Sequence, residues 1–168
     1  AVTSPFFHLL PYLQEELLSK YPDSKFKDTF DPLNKADFIE FCKGYDAALI
    51  GLDRIDDEVL TALPELKIIA LCSAGADHLD PVALKKRGVR MGWVAGINKD
   101  AVAEMTISTM INILRNFHNL SERLHKGEWP KRRGGGSLLK GKIVGLHGCG
   151  NVGKEVVKRL QPFEVEII

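Results

Sequence analysis

The chain is poor in most of the features that mark specialised protein classes. Its 168 residues hold three cysteines, two tryptophans and three methionines. Cys42, Cys72 and Cys149 are odd in number and lie in or beside apolar runs. They read as free thiols in a reducing compartment, not as a disulfide framework. Charge of one sign is also missing, since 23 basic and 22 acidic residues leave a formal net charge of +1. That balance gives no global attraction to nucleic acid or to an anionic membrane. No apolar run approaches the ~18 residues of a membrane span, and no charged segment leading into an apolar one opens the chain as a secretory leader would. No internal repeat is visible, and no metal site is expected. The absences together predict a cytoplasmic protein that meets neither nucleic acid nor membrane.

What the chain does have is ordinary core material. An apolar share of 45% is enough to bury a core and argues against disorder, and the length suits one large domain or two small ones. Short apolar runs at Ala47–Leu52, Lys67–Ser73, Val89–Val94 and Lys142–His147 read as buried strands, with a weaker strand at Lys25–Phe30. Ala1–Pro5 reads as the tail of a first strand, with a few residues missing in front. Helical segments are expected at Pro11–Tyr21, Lys35–Cys42, Asp57–Leu63 and Pro81–Arg87. The last has local punctuation: Asp80 can cap it, Pro81 sits where its missing N–H costs nothing, and Gly88 supplies a stop. Strands alternating with helices predict an α/β protein with parallel sheets.

The longest helix is expected from Asp100 to about Asn119, with Asp100 as its cap and Glu104 in its first turn. Val102, Met105, Thr109, Ile113 and Phe117 make one face, and Ile107, Met110, Ile111 and Leu114 widen it. A helix this apolar predicts burial on more than one side, with Met105 and Met110 as core packing. Gly127–Ser137 breaks the composition and reads as a solvated loop, with Lys131, Arg132 and Arg133 as an alternative anion patch and Trp129 as an anchor.

The most informative stretch is Lys142–Leu160. A strand pattern (Ile143, Val144, Leu146) runs into Gly148-x-Gly150-x-x-Gly153, and a helix pattern follows at once. This order fits a dinucleotide-binding turn, in which the first glycine permits the bend, the second admits a pyrophosphate and the third lets helix and strand pack closely. The free N–H groups and positive dipole end of the helix suit an anion. The acidic residue that grips a ribose is expected ~20 residues further on. Glu164 and Glu166 come too early, inside the expected strand, and are rejected for that role.

Three stretches, Leu71–Asp80 (LCSAGADHLD), Asn98–Arg115 (NKDAVAEMTISTMINILR) and Leu138–Gly153 (LLKGKIVGLHGCGNVG), together resemble the D-isomer-specific 2-hydroxyacid dehydrogenases. SAGADHLD and the ending PFEVEII are most similar to the glyoxylate and hydroxypyruvate reductases of that family. The resemblance covers Val2–Ile168, about the first half of a family member. It implies a flavodoxin-like substrate domain over residues 1–97, which normally takes back a helix from the far end of the chain, and the first part of a Rossmann domain over 98–168. The long helix would form a hinge and dimer contact, and the stretch after Trp129 an arm around a twofold partner, so a homodimer is implied.

The reaction the resemblance implies is hydride transfer between NAD or NADP and a small 2-oxo or 2-hydroxy acid. The cofactor carries the chemistry, and the protein supplies orientation and electrostatics. Ala74 and Gly75 would hold the substrate carboxylate through backbone N–H groups, a role that fits a glycine following a buried strand. Gly148, Gly150, Asn151, Val152 and Gly153 would surround the pyrophosphate, with Thr106 lining the cofactor. His147 and Cys149 depart from the family's apolar choices and are read as packing under the turn. The His–Glu pair and the Arg that complete the family's site have no match here, and His8, His78, His118 and His125 are not in matching positions. No catalytic residue is therefore assigned, and these residues alone are expected to be inactive. A non-enzymatic dinucleotide-sensing or dimerisation module, of the corepressor kind, is the alternative.

Overall fold

A computed structural model of the chain describes residues 1–129 and 135–168, and it divides into two compact units, Ala1–Ala95 and Gly96–Ile168. The expected patch at Lys131, Arg132 and Arg133 lies outside the described residues.

In the first unit the elements run α1 (Pro5–Leu9), α2 (Pro11–Lys20), α3 (Lys35–Cys42), β1 (Ala47–Ile50), α4 (Asp57–Ala62), β2 (Ile68–Leu71), α5 (Pro81–Arg87) and β3 (Arg90–Gly92). The three strands are parallel in the order β1-β2-β3, with Ala47 opposite Ile68 and Ile68 opposite Arg90. Val2 bridges Leu49 on one side and Phe26 on the other, both in parallel. Counting Val2 and Phe26 as rudimentary strands gives the spatial order 2-1-3-4-5 of a flavodoxin-like sheet. The expected strand at Lys25–Phe30 is thus reduced to one bridge. Pro5 leaves the first strand to begin α1, a short helix absent from the sequence reading.

Alternation along β1 decides which face is buried. Ala48 and Ile50 point into a core with Ile69, Phe38, Val59 and Leu84, while Ala47 is exposed. Helix starts follow local chemistry. Asn34 Oδ1 accepts from Asp37 N at 3.0 Å, Asp56 Oδ1 from Val59 N at 3.2 Å, and Asp80 Oδ1 from Val82 N and Ala83 N at 2.9 and 3.1 Å, each pairing helix-start donors that would otherwise be orphaned. Gly88 ends α5 at φ 70°, as expected of a left-handed stop.

The second unit holds α6 (Lys99–Leu114), α7 (Phe117–His125), β4 (Ile143–Val144), α8 (Asn151–Leu160), a 3₁₀ turn (Gln161–Phe163) and β5 (Glu166–Ile167). β4 and β5 pair in parallel. Four differences from the sequence reading have physical causes. The long helix stops at Leu114 because the Ser137 N–H takes the Leu114 carbonyl and Asn116 turns left-handed at φ 49°, a conformation that asparagine tolerates. Asp100 is the second helical residue, not the cap, and Glu104 falls beyond the first turn. Only a stripe of Ala103, Ile107, Met110 and Leu114 packs inside this unit, so α6 is not buried on several sides and Met105 is 67% exposed. Trp129, expected as an anchor, is instead 73% exposed. Glu164 sits in a left-handed turn ahead of β5 and pairs with Lys140. No helix among the described residues is long and apolar enough to cross a membrane.

Candidate functional site

The loop after β2 is held at both ends and open in the middle. Cys72 N donates to Ile50 O at 2.9 Å, the last rung of the sheet. Beyond the loop, Ile55 N donates to His78 O at 3.0 Å and Asp80 N to Ile55 O at 2.9 Å. Between these anchors the Ser73 hydroxyl donates to Gly75 O at 2.8 Å and tightens the turn. Among the described residues, the N–H groups of Ala74, Gly75, Ala76 and Asp77 donate to no protein acceptor. Backbone donors left free at the carboxyl end of a parallel strand, where open α/β sheets bind ligands, can receive an anion. Ala74, Gly75 and Asp77 are exposed there.

Polar groups that hydropathy did not flag underlie this end of the sheet. Asp53 is buried, and its carboxylate accepts from Thr3 Oγ1 at 2.5 Å and from Leu33 N at 2.9 Å. This satisfied network pins the ends of the Val2 bridge and β1 together. Ser4 Oγ is buried beside Cys72 and meets no well-formed hydrogen-bond partner among the described residues. Burial pushes the Cys72 thiol above its ordinary pKa, with the neighbouring Ser4 hydroxyl working in the opposite direction. His78 Nε2 is likewise buried without a hydrogen-bond partner among the described residues. The signal for Asp53 and Ser4 is their place just after strands, which composition does not mark. A cavity of about 480 Å³ lies elsewhere, towards the amino ends of the strands, against Tyr21, Tyr45, Asp46, Ala47 and Ile68.

In the second unit the candidate element is the turn from β4 into α8. Leu146 N donates to Ile168 O at 2.8 Å and carries the chain off the sheet. Gly148 then bends at φ 91°. Gly150 precedes α8 without a side-chain cap, and nothing approaches its Cβ position within 4 Å. A Cβ on Gly153 would lie 2.7 Å from the Gly148 carbonyl oxygen, so only glycine lets the helix close on the turn. The N–H groups of Asn151, Val152 and Gly153 donate to no acceptor among the described residues. Val152 turns its side chain to the core with Val156 and Leu160, leaving only its backbone for a ligand. A bend, an open second glycine, a closed third one and three free donors on a ten-residue helix fit a pyrophosphate.

The remaining expected residues are placed less favourably. His147 and Cys149 are both exposed, not packed under the turn. The Thr106 hydroxyl donates to Val102 O at 2.7 Å in its own helix, so it can only accept from a ligand. His125 Nδ1 is 2.8 Å from Ser121 O, and His8 and His118 are exposed. Among the described residues no three His, Cys, Asp or Glu side chains cluster to hold a metal.

Known proteins match this arrangement. The family model for the D-isomer specific 2-hydroxyacid dehydrogenase catalytic domain matches residues 3–161. A glyoxylate reductase of Thermofilum pendens is 35% identical over 142 residues, covering 82% of this chain and 42% of its own length. A glyoxylate reductase/hydroxypyruvate reductase of Mus musculus is 33% identical, over 81% of this chain and 43% of its own. The chain thus spans less than half the length of either relative. Among solved structures, the pyruvate reductase of Chlamydomonas reinhardtii superposes with a TM-score of 0.77 at 26% identity, over 99% of this chain and 49% of that one.

Proposed function

Because the chain belongs to the D-isomer-specific 2-hydroxyacid dehydrogenase family, we propose that it supplies the substrate-carboxylate loop and the pyrophosphate turn of a nicotinamide-dependent reductase of small 2-oxo acids, with glyoxylate or hydroxypyruvate as substrate. The observation that carries the reading is the start of α8, where three unpaired N–H groups follow a glycine turn that admits no other residue at Gly153. In this role the first unit is the substrate domain and the second the beginning of the nucleotide domain.

Each residue has a simple task. Ala74 and Gly75 N–H groups donate to the substrate carboxylate, and the anchors at Cys72 and His78 O keep those donors aimed. Fixed donors need no reorganisation as charge develops on the substrate. Gly150, Asn151, Val152 and Gly153 surround the pyrophosphate, which the helix dipole favours. Thr106, able only to accept, would line the cofactor. The cofactor, NAD or NADP, supplies the hydride chemistry when bound. A His–Glu pair and an Arg, required to protonate the carbonyl oxygen and hold the substrate, match no residue among these 168. We therefore propose that the 168-residue chain alone does not turn over. The exposed apolar side of α6 and α7, formed by Met105, Ile113 and Phe117, supports a homodimer formed through this region.

The test is direct. Titration of the chain with NADH and with NADPH should shift the backbone amide resonances of Gly150–Gly153. Glyoxylate should shift those of Ala74 and Gly75. A protein extended by the second half that the curated relatives possess should oxidise one reduced nucleotide with glyoxylate or hydroxypyruvate, while the 168-residue chain should not. Absence of turnover in the extended protein with every small 2-oxo acid would reject the reductase.

A further inference from the structure

Helix α8 is held against the start of α6 at both of its ends. At the carboxyl end, Arg159 Nη2 meets Asp100 Oδ1 at 2.7 Å and Glu104 Oε1 at 3.8 Å, while its Nη1 pairs with Glu155 in the same helix. At the amino end, Asn151 lies against Gly96. A Cβ built on Gly96 would sit 2.7 Å from Asn151 Cβ, 2.7 Å from its Nδ2 and 2.8 Å from its Cγ, closer than real side chains approach. Gly96 is also left-handed, at φ 70°, and its carbonyl accepts from Lys99 N at 3.0 Å, just ahead of α6. One short stretch, residues 96–104, therefore fixes both the tilt and the advance of α8.

We propose that Gly96 is a positioning residue for the dinucleotide turn. Its missing side chain lets Asn151 seat fully, and Asn151 carries one of the three unpaired N–H groups. The contribution of the Asn151 side chain is steric, its Cβ, Cγ and Nδ2 lying where a Cβ on Gly96 would sit: it is the stop against which α8 advances. A side chain at position 96 pushes that stop away and turns the N–H groups of Asn151 and Val152 off their common target. The inference rests on the pyrophosphate reading of the turn and adds a residue 55 positions away in sequence that touches no ligand.

The experiment is a double-mutant cycle on the 168-residue chain, with NADH and NADPH as probes and amide resonances as the readout. Gly96→Ala should weaken binding about tenfold, the consequence of one crowded methyl group. Asn151→Gly removes all three crowding atoms. In that background Gly96→Ala should cost only about two- to threefold, the residue of left-handed strain on an alanine. Without any nucleotide, Gly96→Ala should also shift the Gly150–Val152 amides, and the shift should largely vanish in the Asn151→Gly background. Equal losses in both backgrounds, or unchanged Gly150–Val152 amides in free Gly96→Ala, would overturn the proposal. If the unaltered chain shows no response to either nucleotide, the pyrophosphate reading fails by itself, and the nucleotide-free comparison still decides whether Gly96 sets the turn.

Discussion

The two units present backbone donors in the same way but support them differently. In the first, the Ala74–Asp77 loop leaves a three-stranded sheet whose Ile50, Val59, Ile69 and Phe38 are almost wholly buried. In the second, the α8 turn leaves a pair of two-residue strands, and the buried apolar side chains among the described residues are those of Ala103, Leu139, Val156 and Leu160. Its Ile143, Met105 and Ile113 stay more than 60% exposed. The proposed carboxylate loop thus stands on the larger core, and the proposed pyrophosphate turn on the smaller one. In the second unit, close glycine contacts and ion pairs do the positioning that packed side chains do in the first.

The largest effect should come from the larger core. Ile50→Ala should cost about 2–5 kcal/mol, the range for truncating a fully buried aliphatic residue, measured by denaturant unfolding. Hydrogen exchange gives the matching contrast, with β1 and β2 amides protected more strongly than those of β4 and β5. Equal protection of the two sheets would break the comparison.

Next comes the closed glycine. Gly153→Ala places a methyl 2.7 Å from the Gly148 carbonyl oxygen and should cost about 1–3 kcal/mol. It should also abolish the response of the Gly150–Val152 amides to NADH and NADPH while leaving glyoxylate shifts at Ala74 and Gly75 intact. Loss of both responses together would mean that the two regions are not independently supported.

Arg159→Ala should have a smaller effect. The Arg159 side chain is 25% exposed and its partner Asp100 58% exposed, so solvent screens the pair and only a small loss of stability is expected. Raised salt should shrink the difference between Arg159→Ala and the unaltered chain. A salt-independent difference would assign the arginine a packing role instead.

How far the sequence disclosed this plan depended on the range of the signals. Helices α3 and α5 carry their own punctuation, and their observed limits, Lys35–Cys42 and Pro81–Arg87, match the reading. The alternating strands and helices likewise disclosed the α/β class. The break at Asn116 was hidden because its cause is the distant Ser137 N–H, not a glycine or proline. The exposure of Met105 was hidden because periodicity marks an apolar face without saying whether anything in the chain covers it. For the site, the Ser73–Asp77 loop and the glycine turn were visible as motifs. Asp53 with Thr3, and Gly96 with Asn151, were not, since each pair lies 50 or more residues apart.

The smallest effect separates the ion pairs of the two units by pH. Asp57, at the start of α4, accepts from Arg87 Nε at 2.8 Å and from Lys86 Nζ at 3.1 Å. The Arg87 guanidinium, followed by the Lys86 ammonium, holds its carboxyl down to about 2 from an ordinary 3.8. Because the folded value is the lower one, this group stabilises the fold fully above pH ~4 and loses its contribution as pH falls towards ~2. Asp57→Asn should therefore leave the unfolding midpoint nearly unchanged only at pH ~2 or below and lower it slightly at neutral pH, the difference opening between pH ~2 and ~4. Asp100 is also depressed, by Arg159 first of all, so Asp100→Asn should give a difference of the same sign that likewise closes as the pH is lowered into the acid range. The two curves distinguish the units: the Asp57 effect should appear in the exchange of β1 and β2 amides, and the Asp100 effect in those of β4 and β5. Effects of both substitutions on one set of amides would show that the units unfold as a single cooperative body.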